Sequence, residues 1–135
     1  MSDWPDLNEL AVDGHWDPIL LMCGNLGLGG DWEPTRRLLR RLGGLTASGG
    51  LLIGDSVDPT SEDPFDIAHE ERNREAGFHR GHVRLRLHYG ELVMPWWDQV
   101  NFPPTDIERL VDGTGWILEE HMGDADEYAV VLRRR

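Results

Sequence analysis

The sequence predicts a single α/β domain organised on a parallel sheet. Three observations lead there: an unbroken apolar run over residues 18–23, a leucine-striped segment after it, and a second apolar run over residues 51–54. Apolar runs without polar alternation mark strands covered on both faces, as in parallel sheets. A strand, a helix and a strand in that order form a right-handed crossover. With 135 residues, the chain is long enough to hide roughly two-thirds of its unfolded surface.

Residues 1–15 are acidic and weakly patterned and read as an N-terminal arm, with Trp4, Leu7 and Leu10 its apolar anchors; residues 16–135 form the domain. Pro18 to Cys23 is the first strand, and the glycine-rich turn from Gly24 to Gly30 follows. Asp31 is placed to cap a helix whose first turn carries Glu33 and Pro34. Leu38, Leu39, Leu42 and Leu45 give that helix its apolar stripe, and Arg36, Arg37, Arg40 and Arg41 take the wet face. Ser48-Gly49-Gly50 leads into the strand Leu51–Gly54, which ends at Asp55. The polar stretch from Asp58 to Gly77 holds a short helix over Phe65–Ala76. Val83, Leu85 and Leu87 alternate with Arg84, Arg86 and His88, then Tyr89-Gly90-Glu91 turns the chain back through Leu92-Val93-Met94, a hairpin pattern. Thr105-Asp106-Ile107-Glu108 is a capping box. Trp116–Leu118 and Tyr128–Leu132, around Gly123-Asp124, make a terminal antiparallel pair.

Composition narrows the function. Thirteen basic residues, every one an arginine, face 25 acidic ones, for a net charge of −12. Phosphate binding needs a basic face, so nucleic acid is not an expected partner, and an anionic membrane surface is disfavoured on the same ground. No apolar stretch approaches the ~20 residues that span a bilayer, and the start has no secretory pattern. A single cysteine, Cys23, excludes an internal disulfide and fits a reducing compartment, so a cytoplasmic setting is expected.

Several residues invite a chemical reading. Asp55 and Asp58 at a strand end suit a general base or a holder of an amine or metal; ordinary turn chemistry is the plainer account. His69, His79, His82 and His88 gather around the middle of the chain, where a general base working near neutral pH is one role and solvated loop positions the other. No metal is expected, because no second cysteine or convergent ligand spacing accompanies them. Cys23 has no basic neighbour and reads as a small buried hydrophobe. Arg84 and Arg86 suit an acidic ligand or cross-strand pairing with Glu91.

The segments "DPILLMCGNLGLGGD", "RLLRRLGGLTASGGLLIGD", "GHVRLRLHYGELVMPWW" and "IERLVDGTGWILEEHMGDADEYAVVLRR", in this order, resemble the downstream half of a class I S-adenosylmethionine-dependent methyltransferase over residues 16–135. The resemblance implies a partial Rossmann-like sheet: a βαβ unit made of the family's fourth and fifth strands, an inserted hairpin, a helix and the closing hairpin, without the first three strands. It implies methyl transfer to a small-molecule acceptor, with S-adenosylmethionine as cofactor. It places Cys23, Gly24, Asn25, Leu26 and Gly27 in the fourth-strand loop beside the cofactor. Within it His69, His82 and Asp55 are the catalytic candidates; the resemblance puts Tyr89, Trp96 and Trp97 in the acceptor pocket, where Arg86 would join them, and the alternative for the rings, as for Phe102 and Trp116, is a small core.

The resemblance also leaves strand 18–23 without the neighbour it has in a complete member. Burying Ile19, Leu20, Leu21 and Met22 stabilises by about 1.5–3 kcal/mol each, and an open apolar edge is a template for association. A homodimer through this edge, a separately encoded N-terminal half, or residues 1–16 folded over it would each cover it. Besides an enzyme working in such an assembly, the pattern admits a non-catalytic methyltransferase-like binding or dimerisation module, or a fragment without activity of its own.

Overall fold

In a computed structural model of the chain, residues 13–60, 62–124 and 126–135 are described. The N-terminal arm expected over residues 1–15 therefore lies almost wholly outside the described residues. The first strand, β1 (Ile19–Leu21), is followed by a 3₁₀ turn (Asn25–Gly27), then α1 (Trp32–Gly44) and β2 (Leu51–Val57). Next come α2 (Pro64–Glu75) and four short strands, β3 (His82–Leu85), β4 (His88–Tyr89), β5 (Leu92–Val93) and β6 (Trp97–Val100). A 3₁₀ turn (Pro104–Asp106), α3 (Ile107–Val111), β7 (Trp116–Gly123) and β8 (Glu127–Arg134) complete the chain. The main sheet has the order β1-β2-β8-β7: β1 and β2 are parallel, and the last strand enters antiparallel between β2 and β7. The expected α/β class and βαβ unit are present.

The core lies on one face of that sheet. Leu52 from β2, and Tyr128, Val130 and Leu132 from β8, point toward Leu39 of α1, Ile107 and Leu110 of α3, Leu26, Phe102 and Trp116. The Asp31 carboxylate accepts from Trp32 N–H at 2.8 Å and caps α1 as expected. Leu38, Leu39 and Leu45 are buried. Arg36 departs from its expected wet face: its guanidinium donates to the carbonyls of Arg109 (2.9 Å), Leu110 (2.8 Å) and Asp112 (2.6 Å). Those are the end carbonyls that a helix leaves unpaired, so one side chain of α1 caps α3.

The opposite face is bare by comparison. Leu20, Ile53 and Val131 stand in register across β1, β2 and β8, and Asp55, Ala129 and Met122 form the next row. Leu20 is 59% exposed and Met22 43%, which corrects the expectation that this run is covered on both faces. The strand is also shorter than the run. Pro18 has no N–H to give, and Cys23 (φ 64°) and Gly24 (φ 76°) turn the chain out of the sheet. In contrast, β2 outlasts its apolar run and continues to Val57, because Asp55, Ser56 and Val57 still pair with Ala129, Tyr128 and Glu127.

The middle hairpin is a longer ribbon than the one expected. β4 pairs with β5 around Tyr89–Leu92, but β3 pairs with β6 (Leu85↔Trp97), beyond the expected end at Met94. Arg86 and Leu87 stand opposite Met94, Pro95 and Trp96, so one strand carries an extra residue there; proline, which cannot donate, is suited to such an interruption. The capping box at Thr105 does not form. A 3₁₀ turn occupies Pro104–Asp106, and α3 starts at Ile107 without a side-chain cap.

Candidate functional site

Two depressions open at the carboxyl end of β2, and Val57 lines both. The larger, about 500 Å³, is bordered by Met22, Cys23 and Gly24 from the loop after β1, Asp55 from β2, and Met122 and Glu127 from the closing strands. The smaller, about 230 Å³, lies between the end of β2, α2 and the start of β3, with Asp58, His69, Glu70 and His82 in its wall.

The loop after β1 is held from two sides. Asp55 accepts from Gly24 N–H at 2.8 Å, and the Gln99 amide donates to the Gly24 carbonyl at 2.7 Å. Both main-chain groups of Gly24 are thus engaged by side chains from β2 and β6, and Asp55 is a loop-positioning residue. Cys23 is exposed at the rim rather than buried, which corrects its reading as a small core hydrophobe; its left-handed backbone conformation (φ 64°) swings it out of the strand. Leu26 and Gly27 belong to the packing instead of the cleft. Leu26 is fully buried against Gly54, and a Cβ on Gly27 would sit 1.6 Å from the Val100 carbonyl oxygen. Asn25 lies between them and Gly24 in the 3₁₀ turn, half-buried.

His69 and His82, far apart in sequence, meet in the wall of the smaller cavity; Asp55 faces the larger one. His82 is 3% exposed. Its ring stacks on Phe78 (centroids 4.0 Å apart, planes at 2°), and its Nε2 lies 3.0 Å from the Asp98 carboxylate. His79 and His88 are engaged elsewhere. His79 Nδ1 lies 2.7 Å from Asp31, and His88 accepts from Arg86 Nε at 3.0 Å.

Tyr89, Trp96, Trp97 and Arg86 line neither depression. They ride on the ribbon, with Tyr89 85% exposed and Trp96 51%. The Arg86 guanidinium sits 4.5 Å from the centre of the Trp96 ring, a cation–π arrangement. Arg84 faces Asp98 across the ribbon at 3.9 Å, not Glu91. Phe102 and Trp116 are core residues.

Gln99, Asp98, Ser56 and Tyr128 are site residues that sequence reasoning missed. Phe102 N–H donates to Ser56 Oγ (3.1 Å), and the Tyr128 hydroxyl donates to the Phe102 carbonyl, locking the strand exit at the larger depression. Burial pushes the Tyr128 hydroxyl well above its ordinary pKa, a hydrogen bond with Ser56 opposes this, and the charges of Asp58 and Asp106 add to the rise. A raised folded-state pKa means full stabilisation below the unfolded value of about 10 and a loss as pH climbs through and beyond it. Urea unfolding between about pH 8 and about pH 11 is therefore expected to show a decline that Tyr128→Phe lessens.

Among the described residues no cluster of three or more His, Cys, Asp or Glu side chains is arranged to hold a metal, and no helix is long and apolar enough to cross a membrane. No family model matches the sequence, and no curated protein matches it. Solved structures do. An S-adenosylmethionine-dependent methyltransferase from Bacteroides fragilis, in complex with S-adenosylhomocysteine, superposes with a TM-score of 0.75 at 19% identity, over 95% of this chain and 52% of that one. The fold is methyltransferase-like. A methyltransferase from Methanosarcina mazei gives a TM-score of 0.71 at 10% identity, over 95% of this chain and 64% of that one. The CcbJ methyltransferase from Streptomyces caelestis gives 0.65 at 11%, over 96% and 65%. The chain thus spans between about half and two-thirds of the length of these structures.

Proposed function

We propose that the chain serves methyl transfer from S-adenosylmethionine to a small-molecule acceptor, with the methyl donor in the larger depression and the acceptor in the smaller. The observation that carries this reading is their meeting at Val57, at the carboxyl end of a parallel strand, where α/β sheets bind their ligands. The methyltransferase-like fold, and the S-adenosylhomocysteine held by the Bacteroides fragilis protein, support the choice of cofactor.

The residues of the larger depression suit part of that cofactor. Asp55 and Glu127 place carboxylates beside a cavity that Met22 and Met122 flank with apolar surface, a donor set suited to a sulfonium cation and a flat base. When bound, S-adenosylmethionine supplies an electrophilic methyl group. The chain's own residues position and exclude: Asp55 and Gln99 fix the Gly24 peptide, and Tyr128 with Ser56 holds the floor. His69 and His82 are the groups able to take or hold a proton on the acceptor side. Calorimetric titration of the full chain with S-adenosylhomocysteine tests this. Saturable binding, weakened in Asp55→Asn, is the expected result, and absence of binding to the chain in its associated form overturns it and leaves the non-catalytic binding module.

We further propose that the chain works as an assembly, in the cytoplasm, and that β1 and the row Leu20–Ile53–Val131 form the joint. The exposure of Leu20 and Met22 supports this. A second copy pairing β1 against β1 about a two-fold axis is the simplest occupant, and a separately encoded N-terminal half the next. Leu20→Lys is expected to halve the mass measured by light scattering while leaving the circular dichroism unchanged; an unaltered dimer mass sinks the edge pairing.

A further inference from the structure

α2 is held to the fold differently from α1 and α3. α1 buries Leu38 and Leu39, and α3 buries Ile107, Leu110 and Val111, whereas α2 buries no residue. The side chains that α2 turns to the smaller cavity, Asp66, His69, Glu70 and Asn73, are all polar, and its Phe65 and Ile67 stand exposed. Asn73 donates to the His82 carbonyl at 2.6 Å, and Glu70 pairs at 3.0 Å with Arg80, just ahead of β3. Water competes for such groups, so each link holds weakly.

The helix keeps its shape by local means instead. Asp63 accepts from Phe65 N–H at 2.8 Å, Pro64 takes the first turn, and Asp66 at the start and Arg72 and Arg74 at the end match the helix dipole. Gly77, left-handed at φ 86°, closes the end with its N–H on the Arg74 carbonyl. None of these devices needs the rest of the molecule. Gly77 is also where the chain can bend: a Cβ there would meet nothing, whereas Gly81 is pinned by Asn101 N–H donating to its carbonyl at 2.8 Å.

The shut arrangement carries a penalty. His69 Nε2, on α2, and His82 Nδ1, on β3, are both buried without a hydrogen-bond partner, and both residues line this cavity. A buried polar atom left unpaired raises the free energy of the state that buries it. We propose that α2 is a hinged gate on the smaller cavity: it swings about Gly77 as an intact helix, parts from β3 at the Asn73 and Glu70 links, and uncovers His69 and His82, whose unpaired nitrogens are sealed while it is shut. The gate controls entry to the cavity that the functional reading gives to the acceptor. The motion stands without that reading; only the identity of what enters rests on it.

Acylation of imidazole nitrogen by diethyl pyrocarbonate, followed histidine by histidine by mass spectrometry on the full chain, measures the opening at His82, with the exposed His121 as reference in the same sample. Asn73→Ala and Arg80→Gln, which remove one link each, are expected to speed His82 acylation about tenfold relative to His121. Arg109→Gln, which breaks a surface pair with Asp106 on α3, leaves it unchanged. The His82 rate is expected to stay level up to about 1 M urea, because a swinging helix exposes little new surface, and the helical dichroism of the variants to match the wild type. An unchanged His82 rate in both link variants overturns the proposal. So does a rate that climbs steeply with urea, which assigns access to global unfolding, or a loss of helical signal in the variants, which makes α2 melt instead of swing. S-adenosylhomocysteine binding enters none of these readouts, so failure of the methyltransferase reading leaves the gate standing, and failure of the gate leaves that reading standing.

Discussion

Gly27→Ala is expected to destabilise the protein by about 3 kcal/mol or more, near the upper end of what single substitutions do. The added Cβ would lie 1.6 Å from the Val100 carbonyl oxygen and 2.6 Å from its carbonyl carbon. These are backbone atoms, so no rotamer change relieves the clash. Val100 ends β6, and Gly27 ends the 3₁₀ turn that follows the loop after β1, so the two must separate. Separation pulls Gln99 from the Gly24 carbonyl, and binding at the larger depression should fall with stability. Gly44→Ala is the matched control. It lies at the end of α1, where an added Cβ would meet nothing within 4 Å, and is expected to be neutral or to stabilise by up to about 1 kcal/mol. Urea unfolding of the two variants beside the wild type checks both; a Gly27→Ala midpoint matching that of the wild type would show that the junction yields.

Trp116→Ala should cost about 3–5 kcal/mol. The ring is 2% exposed at the start of β7, packed in the core between the sheet and the helical layer, and its Nε1–H donates to the Leu39 carbonyl at 2.8 Å. Truncation therefore opens a cavity and also removes the hydrogen bond that Trp116 adds to a carbonyl of α1. Trp116→Phe separates the two losses, because it keeps most of the ring and removes only the donor. It is expected to fall between wild type and Trp116→Ala in thermal and urea unfolding, and an equal loss in both variants would assign the whole effect to the hydrogen bond.

The central elements are legible in the sequence because their signals are local. The βαβ unit follows from two apolar runs flanking a leucine stripe, and the Asp31 cap, the glycine turn and the terminal antiparallel pair all stand where the residues imply. What escapes depends on tertiary placement. No pattern in the sequence distinguishes Arg36, reaching the carbonyls of α3, from its neighbour Arg37. The exposure of Cys23 follows from a positive φ that a non-glycine residue seldom adopts. The 85–97 pairing of the ribbon lies beyond Pro95, a residue that ordinarily argues against a strand. The convergence of His69 with His82 shows in the sequence only as a loose cluster, because it requires α2 to lie over the start of β3, fixed in part by Asn73 donating to the His82 carbonyl at 2.6 Å. Tyr89 and Trp96 show the converse: rings that resemble pocket walls in sequence stand on a ribbon that lines neither depression.

The one-sided layering of helices has a thermodynamic corollary. Whatever settles on the Leu20–Ile53–Val131 row does so only while the strands are formed, so occupancy adds to the native side of the unfolding equilibrium alone. For a self-associating chain the melting midpoint then becomes a function of dilution, shifting by mass action, and a dilute sample reports the intrinsic strength of the isolated sheet.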